Sequence, residues 1–114
     1  MSDGRLPAGL EVSALVRRAQ AYGDFATILR KGDPDRGALI LLITHRGRHV
    51  AVLERVLDFE VGYRWTATGP AESASPSEVS DFIAGRTRFD EDCWVVELDI
   101  AEPERFIAET TASG

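Results

Sequence analysis

The sequence predicts an α+β fold: a mainly antiparallel sheet of four to five strands, with an N-terminal helix, a second helix before the last strand and a short C-terminal helix. Three observations predict it. Apolar residues recur at helical spacing in residues 10–22, in the segment after Ser75 and again near Phe106. Short valine- and isoleucine-rich runs separated by turn residues fill residues 25–56. Strands in runs, with helices set apart from them, favour α+β over alternating α/β.

Each element follows in order. Val12, Leu15, Val16, Ala19 and Tyr22 fall on one face of a helix over about residues 10–22, which Gly23 ends. Phe25–Arg30 reads as a first strand, and Lys31–Gly37 as a turn rich in glycine and proline. Ala38–Thr44 is almost continuously apolar, as expected of a central strand covered on both faces. His49–Val56 follows after a reversal at Gly47. These three strands are expected to form an antiparallel meander. Tyr63–Gly69 supplies the fourth strand. Ser75, Pro76 and Glu78 stand at capping-box spacing with proline at the first helical position, so a helix starts there. It buries Val79, Phe82 and Ile83 and is expected to stop at Gly85. Cys93–Ile100 is the last strand, and a final helix from Pro103 buries Phe106 and Ile107.

The 114 residues suit a single domain, with residues 1–9 and 110–114 expected to be flexible. One cysteine precludes an intrachain disulfide and agrees with a reducing, cytoplasmic setting. No apolar run approaches membrane-spanning length, so no membrane role is expected. Net charge is −6, but residues 1–57 carry nine basic and six acidic groups (+3) whereas residues 58–114 carry four and thirteen (−9). The overall acidity argues against nucleic-acid binding.

The densest chemistry lies in "RTRFDEDCWVVELDI", residues 86–100. Strand alternation sends Trp94, Val96, Leu98 and Ile100 to one face, and Cys93, Val95, Glu97 and Asp99 to the other. Glu97 and Asp99 then share an outer face about 7 Å apart. The favoured reading of this stretch is a solvated strand exterior behind an acidic turn. The alternative is a divalent-metal hydrolase or anionic-ligand site, with Asp90 and Asp92 as metal ligands, Glu97 and Asp99 beside them, and Arg86 or Arg88 holding an anion. Cys93 is a poor nucleophile, since acidic neighbours raise its pKa.

"HRGRH" is the second candidate. With Arg46-Gly47-Arg48 as the loop, His45 and His49 face each other, their Cβ atoms about 5 Å apart. Two histidines fall short of a zinc set, while Arg46 and Arg48 suit a bound anion. Arg64 alternates with Tyr63 and Trp65, which separates its charge from the aromatic face. No catalytic set converges and no cofactor is expected. The favoured reading is a noncatalytic interaction or binding domain that pairs with a protein partner or with itself, through the Tyr63–Trp65 strand or the N-terminal arm.

The segments "LEVSALVRRAQAYGDFATILRKGDPDRGALILLI", "HVAVLERV" and "FIAGRTRFDEDCWVVELDIAEPERFI" span most of the chain. In them the chain resembles the domain of unknown function 1491 family, short proteins of alphaproteobacteria. The resemblance implies a bacterial cytoplasmic protein without assigned activity, and it transfers no functional residue.

Overall fold

The computed structural model describes residues 7–60 and 62–112. In chain order the elements are α1 (Ala8–Ala21), β1 (Phe25–Arg30), β2 (Leu39–His45), β3 (Arg48–Asp58), β4 (Gly62–Thr68), α2 (Pro76–Phe89), β5 (Trp94–Asp99) and α3 (Pro103–Ala112). The fold is α+β. Of the arm expected over residues 1–9, residues 1–6 lie outside the described residues, while Ala8 and Gly9 already belong to α1 and Ala8 is buried. Of the tail, residues 113–114 lie outside them, and residues 110–112 complete α3.

The strand order β1-β5-β2-β3-β4 corrects the expected meander. β1 does not lie beside β2. β5 inserts between them, antiparallel to β1 and parallel to β2. The direction of β1 relative to β2 is as expected; only its neighbour differs. The reason is burial. β2 is buried along Leu39–Thr44, and β5 along Trp94–Val96. Two strands covered on both faces gain most by standing side by side at the centre, which leaves β1 at an edge.

Alternate side chains of these strands feed two cores. Leu39, Leu41, Ile43, Leu53, Trp94, Val96 and Leu98 lie under α1 and α3, which add Val12, Ala19, Phe106 and Ile107. Ile40, Leu42, Val52, Cys93 and Val95 lie under α2, which adds Val79, Phe82 and Ile83. Each fully buried aliphatic side chain stabilises the fold by about 1.5–3 kcal/mol. Tyr22, expected on the buried face of the first helix, lies just past its end and is exposed.

The start of α2 is as the sequence predicts: Ser75 Oγ accepts from Glu78 N and Glu78 Oε1 accepts from Ser75 N. Its end is not. α2 continues through Gly85 to Phe89. A glycine stops a helix by turning left-handed, as Gly23 does at φ 81°; Gly85 keeps a negative φ. At the very next residue, the Arg86 guanidinium meets the buried Glu54 carboxylate, which also accepts from Thr68 Oγ1 at 2.6 Å. That ion pair ties the last turns of α2 to β3 and β4.

The loop between β1 and β2 encloses the start of β5. Asp33 N donates to Asp92 O (2.9 Å), Trp94 Nε1 to Asp33 O (2.7 Å) and Trp94 N to Ala38 O (2.8 Å). Asp33 Oδ1 in turn accepts from Asp35 N and Arg36 N, and these two bonds hold its pKa below the ordinary carboxylate value. Gly32 and Gly37 are there for space. A Cβ on either would meet the Asp92 carbonyl and come within 2.7 Å of Trp94 Cδ1. Gly37→Ala is therefore expected to cost about 1–3 kcal/mol through overpacking, read as a lower urea midpoint. An unchanged midpoint would contradict the tight enclosure of Trp94.

Candidate functional site

The residues of the acidic stretch are each engaged by local structure. Asp90 caps the C-terminus of α2, and its Oδ1 accepts from Asp92 N at 3.0 Å. Asp92 presents its carbonyl to Asp33 N. Glu91 offers its carbonyl to Arg30 Nη2 at 2.8 Å. Arg86 turns to Glu54, and Arg88 is exposed on the last turn of α2. Among the described residues no group of three or more His, Cys, Asp or Glu stands close enough to hold a metal ion.

Glu97 and Asp99 share a strand face, as alternation requires, but that face is not a bare exterior. It continues the buried row of Cys93 and Val95 under α2, and both carboxylates are half-buried and bonded. Thr44 Oγ1 donates to Glu97 Oε2 at 2.9 Å. Asp99 accepts from Arg46 N at 2.9 Å and Gly47 N at 2.8 Å.

Those two bonds define the β2–β3 hairpin, and the hairpin differs from the one expected. Its loop is Arg46-Gly47 alone, with φ of 52° and 80°. This is the left-handed pair that a two-residue loop twisted to match its strands requires. His45 then pairs with Arg48 and Thr44 with His49, so the two histidines are not opposite one another. Each ring nitrogen that meets a carbonyl must carry its proton. His45 Nδ1 donates to Ile100 O at 2.8 Å, and His49 Nε2 to Pro70 O at 3.1 Å. Arg46 and Arg48 are exposed at the tip.

Two surfaces escaped sequence reasoning. One is a groove of about 880 Å³ between α1 and α3, floored by Trp65, Leu98 and Ile100. Arg18 lies over the Phe106 ring at 5.9 Å along it. The ion pair between Glu11 and the buried Arg55 guanidinium joins its α1 wall to β3, and Arg55 in turn lies 5.5 Å from the Tyr63 ring. Trp65 thus faces inward and packs on the core. The other surface is the free edge of the sheet at β1, where Phe25 (73%), Leu29 (52%) and Ile28 (47%) are exposed. The signal was present in "FATIL", which carries no polar alternation.

The Cys93 thiol is fully buried and is pushed up to about 11 by burial, with the Asp90 charge adding to the effect. It is not poised as a nucleophile.

The fold defines a small α+β domain in which, among the described residues, no three or more His, Cys, Asp or Glu side chains gather as metal ligands. Residues 6–108 match the family described as "Protein of unknown function (DUF1491)", and the chain belongs to that family. It is similar to the crystal structure of a DUF1491 family protein from Caulobacter crescentus, at 26% identity over 85% of this chain and 90% of that one, with a TM-score of 0.75. It is also similar to the solution structure of protein Atu0922 from A. tumefaciens, at 28% identity over 83% and 86% of the two chains, with a TM-score of 0.70. No curated protein matches it. No helix among the described residues is long and apolar enough to cross a membrane.

Two predictions follow from the bonded state of these groups. Burial raises the Asp99 pKa, but the N–H groups of Arg46 and Gly47, with Thr44 and His45, outweigh it and hold the carboxyl below its ordinary value. A carboxyl with a lowered folded pKa adds stability above its unfolded pKa, and that stability is lost as pH falls through the folded value. Asp99→Asn should therefore be less stable at neutral pH by about 1 kcal/mol, and the gap should close on acidification in urea titrations. A gap independent of pH would contradict the role of the charge. For Cys93, a thiol-specific chromogenic reagent at pH 8 should label it only after denaturation; rapid labelling of the native protein would show that the site opens.

Proposed function

We propose that this protein is a noncatalytic interaction domain that associates with a second copy of itself in the bacterial cytoplasm. The observation that carries the reading is the β1 edge. A free strand that exposes Phe25, Ile28 and Leu29 is a surface that natural sheets otherwise charge, shorten or cover. The chemistry-bearing side chains support it from the other direction. Glu54, Glu97, Asp99, His45 and His49 each bond within the fold. The similarity to alphaproteobacterial proteins supports a bacterial source, and a buried free thiol is compatible with a reducing compartment.

Sedimentation equilibrium tests the reading. A concentration-dependent dimer at micromolar protein is expected, and a monomer across a wide concentration range would overturn it. Thermal melts in Mg²⁺, Mn²⁺ or Ca²⁺ should match those in chelator, because a ligand that binds only the native state raises the melting temperature. A raised melting temperature would favour the carboxylates of Asp90, Asp92, Glu97 and Asp99 as a metal site.

A further inference from the structure

Resting on the self-association reading, we propose that two copies join through β1, antiparallel about a two-fold axis at Thr27, so that the two sheets become one. β1 bonds to β5 on one side, and no described strand occupies its other side. Residues 25–29 contain no charge and no proline, whereas the opposite edge strand, β4, presents the exposed Arg64. The two edges are not equivalent, and β1 is the one open to pairing.

The sequence of β1 selects the register. Antiparallel edges related by a two-fold axis keep each sheet face on its own side, so residues placed opposite must come from the same face. The pairing with β5 fixes those faces. Phe25, Thr27 and Arg30 stand opposite Asp99, Glu97 and Val95 and point to the α2 side. Ala26 and Ile28 stand opposite Leu98 and Val96 and point to the α1 and α3 side. The irregularity between Ile28 and Arg30 leaves Leu29 as the extra residue.

With the axis at Thr27, the two Thr27 residues meet, Ala26 meets Ile28, and Phe25 meets Arg30 of the second copy. One step further, Asp24 meets Lys31. Small opposes large on one face, an aromatic ring opposes a guanidinium on the other, and opposite charges close each end. Arg30 is already steadied by the Glu91 carbonyl. Centring on Ala26 would oppose Asp24 to Ile28, and centring on Ile28 would oppose Ala26 to Lys31. Of the three, the Thr27 register matches both charge and size.

Thr27 is exposed, so changes there leave the fold intact. Thr27→Lys sets two ammonium groups face to face on the axis and should weaken the dimer at least about tenfold by sedimentation. Lys31→Asp should weaken it as well, by opposing Asp24. Thr27→Cys should yield a disulfide-linked dimer under mild oxidation, since directly opposed Cβ atoms lie about 5 Å apart, near disulfide reach. Ala67→Cys, exposed on β4, should not, and the buried Cys93 leaves a clean background. A dimer that survives Thr27→Lys unchanged, or cross-links no better through Thr27→Cys than through Ala67→Cys, would overturn the β1 register while leaving self-association standing. A wild-type monomer at every concentration would overturn both.

Discussion

The parallel pairing of β2 with β5 is the constraint on which the rest of the structure depends. Both strands are apolar on both faces at their centres, Leu39–Ile43 in one and Trp94–Val96 in the other. A parallel pair cannot be closed by a short hairpin, so the chain must travel from one end of the sheet to the other before β5 begins. Here that journey is β3, β4 and α2. Two buried faces also require two layers of cover. α1 and α3 supply one and α2 the other. The first and last helices therefore share one face, which produces the groove between them, and β1 adds at the outer side of β5.

What was legible in the sequence is what local chemistry decides. The capping box at Ser75, the left-handed stop at Gly23 and the apolar runs of β2 and β5 all carry their meaning within a few residues. The neighbour of β1 was not legible, because strand direction follows from hairpin geometry but adjacency follows from which strands compete for the centre. The extent of α2 was hidden for a similar reason. Gly85 is a stop only if the chain has reason to turn there, and the Glu54 carboxylate, 32 residues upstream of Arg86, gives it reason to go on. In the hairpin, a one-residue difference in the loop moved His49 from His45 to Thr44, the sensitivity expected where register sets every facing pair.

The acidic stretch shows how dense charge is engaged by the fold around it. A catalytic cluster brings side chains from distant segments to one point and leaves at least one of them free to react. Along Glu97 and Asp99 the bonding runs from the surrounding chain to the carboxylate. Donors from distant segments come to single carboxylates: the Arg46 and Gly47 N–H groups to Asp99, and the Thr44 hydroxyl to Glu97. The carbonyls of Glu91 and Asp92 bind Arg30 and Asp33 by backbone oxygen alone. The Glu97 and Asp99 carboxylates and the Glu91 and Asp92 carbonyls each join two pieces of chain that are far apart in sequence, whereas the Asp90 carboxylate closes a local turn onto Asp92 N.

The same logic separates the two edges of the sheet. Along β4 the exposed positions include Arg64, and Tyr63 and Trp65 turn inward against Arg55 and the core. Along β1 the order is reversed, with the apolar side chains outward and Arg30 drawn back toward Glu91. A strand that exposes phenylalanine, isoleucine and leucine beside open peptide groups carries an aggregation hazard unless pairing is limited to one partner in one register. Charges placed at both ends of a short apolar strand impose that limit. Asp24 and Lys31 bracket β1 with opposite signs, so an antiparallel copy is attracted in register, whereas a parallel copy sets like charges side by side.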